Sequence, residues 1–304
     1  MAELILQNYN NTTLKKITNV YQLNYTNCEA PGIGDYIRGC FTLIQLINTI
    51  NLCCKKNIKF EMNLQNHPIS KYLIINNHDD TIEFDKLQIY HNINLAKNEL
   101  NVLFKNSVQF LTDFIDVVNN LDPSVENFHT FCCSFEIFDI FTTYEKDVIK
   151  SNLLPNQEMK LYIDETLDTL RISRKNYSVI HVRCPDEVYF TIKELSLTYL
   201  TKIENELNKN IKPNTSYLIL TNNNCIKNHL KKNKQLLMLF NEICHVGLKK
   251  TQTDQGIKDT LLDFFLLAYS NNIIAFSHYV HGTGFSSQCS KLFDIPYQLN
   301  YLPL

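Results

Sequence analysis

Apolar positions along this chain repeat with two alternating periods. Short runs such as VYQLNYTN (Val20–Asn27), KFEMNL (Lys59–Leu64), NFHTFCCSF (Asn127–Phe135), NYSVIHVR (Asn176–Arg183), SYLILTNN (Ser216–Asn223), EICHVG (Glu242–Gly247) and NNIIAFS (Asn271–Ser277) read as strands. Between them lie segments with apolar residues at helical spacing. These are Cys40–Lys56, Ser107–Leu121, Glu158–Ile172, Leu195–Leu207, Cys225–Phe240, Asp259–Ser270 and the end of His281–Phe293. TIEFDKLQIY (Thr81–Tyr90) reads as a strand pair or one bent strand. Strands alternating with helices of this length predict parallel sheets covered on both faces.

The opening β–loop–α–β unit is the entry unit of a Rossmann-like domain, and the strands from Asn176 onward form a second one. The expected fold is therefore α/β, with two Rossmann-like domains facing a cleft: 1–173 on the probable acceptor side, and 174–304 binding a nucleotide. A length of 304 residues suits that division.

With 44% apolar and 20% charged residues and a net charge of -2, the chain reads as globular and lacks the basic stripe of a nucleic-acid binder. Its ten cysteines show no C-x-x-C pair or zinc-ligand spacing. They are expected to be reduced and mostly buried. The segment MAELILQNYNN lacks a basic leader followed by an apolar core, and no apolar run looks long enough to span a bilayer. A cytoplasmic location is the resulting expectation.

Three stretches carry candidate chemistry. HVRCPD follows the run YSVI, so His181 and Arg183 fall on the strand face opposite Ile180 and Val182, at the carboxyl end where open α/β sheets bind ligands. The planar fork of Arg183 suits a phosphate or carboxylate. Asp186 would orient Arg183 or accept from a ribose or base; the plainer reading is an ion pair that ties off the strand.

HGTGFSS places Gly282, Thr283, Gly284, Ser286 and Ser287 between a buried strand and a helix. Only seven glycines occur in the chain, which gives this pair weight. Such a loop presents N–H groups and hydroxyls to an anion; an ordinary N-cap is the alternative. His281 flanks it. Asp259 and Asp263 lie one turn apart on the preceding helix, where one would reach the cleft or both would face solvent.

GIGDYIRG holds Gly32, Gly34 and Gly39, with Asp35 at a first-turn position and Arg38 about one turn later. It is neither the full dinucleotide fingerprint nor a Walker A loop. No D-x-D pair occurs, so a metal-bridged diphosphate is not indicated and no metal ligands are expected. Together these features fit a nucleotide-sugar transferase in which Arg183 and helix-terminal N–H groups carry the leaving-group charge.

HVRCPD resembles the H-x-R-x-x-D motif of the fucosyltransferase superfamily, which groups α1,2-, α1,6- and protein O-fucosyltransferases. YLILTNN, DTLLDFFLLAYSNNIIAFSHYVHGTGFSSQCSKL and GIGDYIRG resemble three further blocks of that family, in the same order, from about Cys28 to Leu292. The resemblance implies a GT-B-like fold and inverting, metal-independent transfer of fucose from GDP-fucose to a hydroxyl of a glycan or protein, with no cofactor. It assigns Arg183 to the β-phosphate, His181 and Asp186 to the nucleoside or to support of that arginine, and Ser286 and Ser287 to the diphosphate. The chain departs from the common H-x-R-R-G-D pattern at Cys184 and Pro185. Asp35 is the candidate base, with His281 the other option. The competing readings are a transferase of the ADP-heptose type and an inactive GT-B-like binding protein.

Overall fold

The computed structural model describes residues 7–23, 30–75, 102–131, 141–184, 195–213, 215–249, 252–280 and 282–302. Thr81–Tyr90, Asp186 and His281 lie outside them. The chain divides into two compact units, Met1–Leu154 with Gly247–Lys249, and Pro155–Val246 with Lys250–Leu304.

In the first unit, strands β1 (Lys16–Val20), β2 (Lys59–Asn63) and β3 (Asn127–Phe131) form a parallel sheet in the order β2-β1-β3. Helices α1 (Ile33–Cys54), α2 (Val102–Asn119) and α3 (Thr143–Asn152) accompany it. Strand β1 comes earlier than the hydrophobic pattern suggests, because KITNV looks polar. Its polar side chains are satisfied by their neighbours. Thr18 Oγ1 lies 3.1 Å from Glu61 Oε2 and 3.0 Å from Asn127 Oδ1. Thr130 donates to Asn19 Oδ1 at 3.1 Å. Buried polar groups that are paired in this way carry little penalty.

Helix α1 starts seven residues before the expected Cys40, so Gly34 and Gly39 are helical and Gly32 is the N-cap, with an ordinary φ of -64°. Its length and hydropathy meet the test for a membrane span, contrary to the expectation from sequence. Yet 14 of its 22 residues are buried in the protein. Leu43, Leu46, Ile47 and Ile50 join Ile17, Phe114, Ile115 and Phe128 in one core. That is the environment of a core helix. Helix α3 is announced by a capping box that the hydrophobic pattern does not reveal: Thr142 Oγ1 accepts from Glu145 N, and Glu145 Oε2 accepts from Thr142 N.

In the second unit, β4 (Ser178–Arg183), β5 (Tyr217–Thr221), β6 (Leu236–Met238), β7 (Asn272–Ser277) and β8 (Tyr297–Tyr301) form an all-parallel sheet in the order β6-β5-β4-β7-β8. Numbered from its own first strand this is 3-2-1-4-5, the order of a Rossmann half, in which the chain reverses direction across the sheet between β4 and β7. Helices α4 (Gln157–Leu170), α5 (Leu197–Asn210), α6 (Asn224–Leu230), α7 (Asp254–Ala268) and α8 (Gly284–Phe293) cover it. Ile180 and Val182 share a core with Tyr199, Ile203, Ile226 and Leu230.

Three boundaries differ from the sequence reading. Helix α4, expected to close a first domain ending at residue 173, belongs to the second unit. It buries Met159, Ile163 and Leu167, packs on α7, and its Tyr162 hydroxyl donates to Asp259 Oδ1 at 2.7 Å. Strand β6 lies inside the expected helix Cys225–Phe240. Asn233 breaks that helix by accepting from Gln235 N at 3.0 Å, which frees the apolar run after it to pair with β5. The expected strand Glu242–Gly247 is irregular, held by side chains of α6 and α7.

Candidate functional site

The carboxyl ends of β4 and β7 are neighbours, with Arg183 in register with Ser277. This is the point where an α/β sheet of this order opens a crevice for a ligand. Its β7 side is held by hydrogen bonds of a buried serine. Ser277 is 1% exposed; its Oγ donates to the Gly282 carbonyl and accepts from Tyr279 N, both at 3.0 Å. Gly282 has φ +82°, a conformation that favours glycine, and a Cβ there would also meet Leu299 Cδ2 at 3.0 Å. The loop then enters α8 through the buried N-cap Thr283.

The N-cap Thr283 makes no side-chain cap hydrogen bond, and the first turn of α8 holds no acidic residue. Helix polarity favours negative charge at such a terminus. Gly284, Phe285 and Ser287 are half-buried there, and Ser287 N donates to the Thr283 carbonyl at 3.1 Å. Arg183 is half-buried at the end of β4. An arginine at a strand end and a helix N-terminus at the same switch point are both suited to phosphate oxygens.

His181 and Ser286 are placed differently from the other candidates. They are 5% and 0% exposed, and His181 Nδ1 lies 2.9 Å from Ser286 Oγ. Burial, with a further push from Arg183, lowers the His181 pKa to about 3, so the ring is neutral. These two side chains bind each other beneath the loop.

Cys184 is fully buried, and burial pushes its pKa up to about 12. It belongs to the apolar core with Val182 and Tyr199. A second arginine at this position would need a buried counter-ion, which gives the departure from H-x-R-R-G-D a physical reason.

Asp259 is buried rather than solvent-facing, and Asp263 is half-buried. Asp259 is 4% exposed and accepts from Tyr162 Oη, Gln255 Nε2 and Glu242 N, each at 2.7 Å. Asp263 accepts from Asn241 Nδ2 at 2.8 Å. Burial raises its pKa to about 6, with Lys227 and Asn241 pulling the other way. Lys227 is itself fully buried and donates to the Leu239 carbonyl. The two aspartates and this lysine brace the segment between β6 and α7.

In the first unit, Asp35 lies in the first turn of α1, and its carboxylate is 3.1 Å from Arg38 Nη2. Both side chains are 30–39% exposed. Ser277, and Asn222, whose side-chain amide bonds both main-chain groups of Cys184, lie outside the three glycine and arginine motifs. Their one signal in the sequence is a polar residue ending a buried apolar run.

No protein-family model matches the chain, and no curated protein matches it in sequence. Solved structures do share its fold. The α-1,6-fucosyltransferase NodZ co-crystallised with GDP matches with a TM-score of 0.51 and 11% identity, over 91% of this chain and 92% of that one. NodZ from Bradyrhizobium in a second crystal structure gives 0.50 at 10% identity over the same shares. A mutant of Arabidopsis thaliana FUT1 in complex with GDP matches with 0.55 and 11%, over 99% of this chain and 74% of that one. The fold is thus the GT-B-like fold of fucosyltransferases, with parallel sheets in a mixed α/β chain.

Proposed function

We propose that the protein is an inverting glycosyltransferase that takes a sugar from a GDP-linked donor, GDP-fucose first among them, and places it on a hydroxyl of a glycan or protein. The observation that carries this reading is the position of Arg183 at the carboxyl end of β4, in register with Ser277 of β7, on the strand whose His181 bonds Ser286 in the first turn of α8. Two neighbours of the same fold are described with GDP, which supports a guanosine diphosphate as the ligand.

In this reading the acceptor oxygen forms a bond to the anomeric carbon as the bond from that carbon to the β-phosphate oxygen breaks. The electron pair leaves with GDP. Arg183 and the N–H groups of Gly284 and Phe285 stabilise the charge that accumulates on the leaving phosphate. Because they are fixed before reaction, little reorganisation accompanies bond cleavage. The acceptor proton passes to a carboxylate, and Asp35, half-buried beside Arg38, is the proposed base. Asp186 and His281 keep their proposed places near the nucleotide.

Titration with GDP, GDP-fucose and ADP-heptose, with and without EDTA, tests the reading. EDTA-insensitive binding of GDP and GDP-fucose is expected, together with slow release of GDP from GDP-fucose. Binding of ADP-heptose alone would replace the donor, and binding of none would overturn the proposal.

A further inference from the structure

We propose that Asn222 is a positioning residue for Arg183, resting on the reading of Arg183 as a diphosphate ligand. The ladder between β4 and β5 ends at the pair Val182 and Thr221. One residue further, the side chain of Asn222 takes over the pairing. Its Oδ1 accepts from Cys184 N at 2.8 Å, and its Nδ2 donates to the Cys184 carbonyl at 3.2 Å. A single amide side chain thus satisfies both main-chain groups of the residue that follows Arg183.

The consequence for Arg183 follows from peptide geometry. The N–H of Cys184 and the carbonyl of Arg183 belong to one planar unit. Fixing that N–H fixes the direction in which the chain leaves Arg183. On its other side Arg183 is in register with Ser277 of β7. Its backbone is therefore held from both neighbouring strands, one by register and one by Asn222.

Asn222 is itself pinned from behind. Asn223 Oδ1 accepts from Cys225 N at 2.8 Å and caps α6, and Asn223 N lies 3.2 Å from Thr221 Oγ1. The two asparagines that end β5 have separate tasks: one starts the helix and the other extends the sheet toward the site.

The staple needs one acceptor and one donor, which an amide supplies. An aspartate keeps the acceptor for Cys184 N but presents a second acceptor to the Cys184 carbonyl. An alanine supplies neither. Asn222→Asp is thus expected to lie between the wild type and Asn222→Ala.

The test is a double-mutant cycle on GDP affinity, using calorimetry on the full chain with wild type, Asn222→Ala, Asn222→Asp, Arg183→Ala and the Asn222→Ala/Arg183→Ala double variant, each checked for its melting temperature. Asn222→Ala is expected to weaken GDP binding about tenfold, within the range that coupled neighbours show, and to have no further effect once Arg183 is gone. A loss of the same size in the Arg183→Ala background would overturn the inference, because Asn222 would then act on the fold at large. Unchanged affinity in both folded Asn222 variants would also overturn it, while leaving Arg183 as the ligand. Wild-type protein that does not bind GDP would overturn the functional reading, and this inference with it.

Discussion

His181 Nδ1 and Ser286 Oγ share a buried hydrogen bond of 2.9 Å that joins the central strand β4 to the first turn of α8. It sets the helix N-terminus in place relative to Arg183, two residues along the same strand. Both residues look like ligands in the sequence, but the structure uses them on each other. Ser286→Ala leaves the imidazole nitrogen without a partner in a dry site. A loss of about 1–3 kcal/mol in unfolding free energy is expected, measurable by urea denaturation.

The fold class was legible because the alternation of strand and helix periods survives in most segments. Where it failed, polar residues were the cause. KITNV hides its strand because Thr18 and Asn19 are paired internally, and QLLMLF does not show by periodicity whether it is helix or strand. Arg183 and the 282–287 loop stand out as candidates in the sequence because glycine, hydroxyl and arginine cluster at strand ends. The His181–Ser286 bond and the Asn222 staple depend on contacts 105 and 38 residues apart. No local pattern records such contacts.

The neutral state of His181 has a measurable pH consequence. Its pKa is about 3 in the folded chain and near 6.5 when unfolded. The unfolded chain therefore binds this proton first, and stability falls as pH drops from about 6.5 toward 3. The slope from this group approaches about 1.4 kcal/mol per pH unit within that window. Denaturant unfolding at pH 7 and pH 5 is expected to show a smaller pH loss in His181→Gln than in wild type.

Asp263 acts with the opposite sign. Its pKa is raised to about 6 from 3.8, so the folded chain takes up this proton first. Stability from this group grows as pH falls from about 6 to 3.8. Asp263→Asn is expected to remove that gain, making the pH 7 to pH 5 loss steeper than in wild type. The same urea series checks it.

Gly282 holds the turn before α8 at φ +82°. Gly282→Ala is expected to cost on the order of 1–2 kcal/mol of stability, from left-handed backbone strain alone. Contact with Leu299 would add to it. Thermal unfolding measures the loss, and GDP affinity is expected to weaken as the loop shifts away from Arg183.

The central claim is that Arg183 and the N-terminus of α8 hold a nucleoside diphosphate. The most direct measurement is calorimetric titration of wild type and Arg183→Ala with GDP in EDTA. The account predicts saturable, metal-independent binding that weakens about a hundredfold in the variant, with the melting temperature of the free protein little changed. Equal affinity in the two proteins, or no binding by wild type, would contradict it.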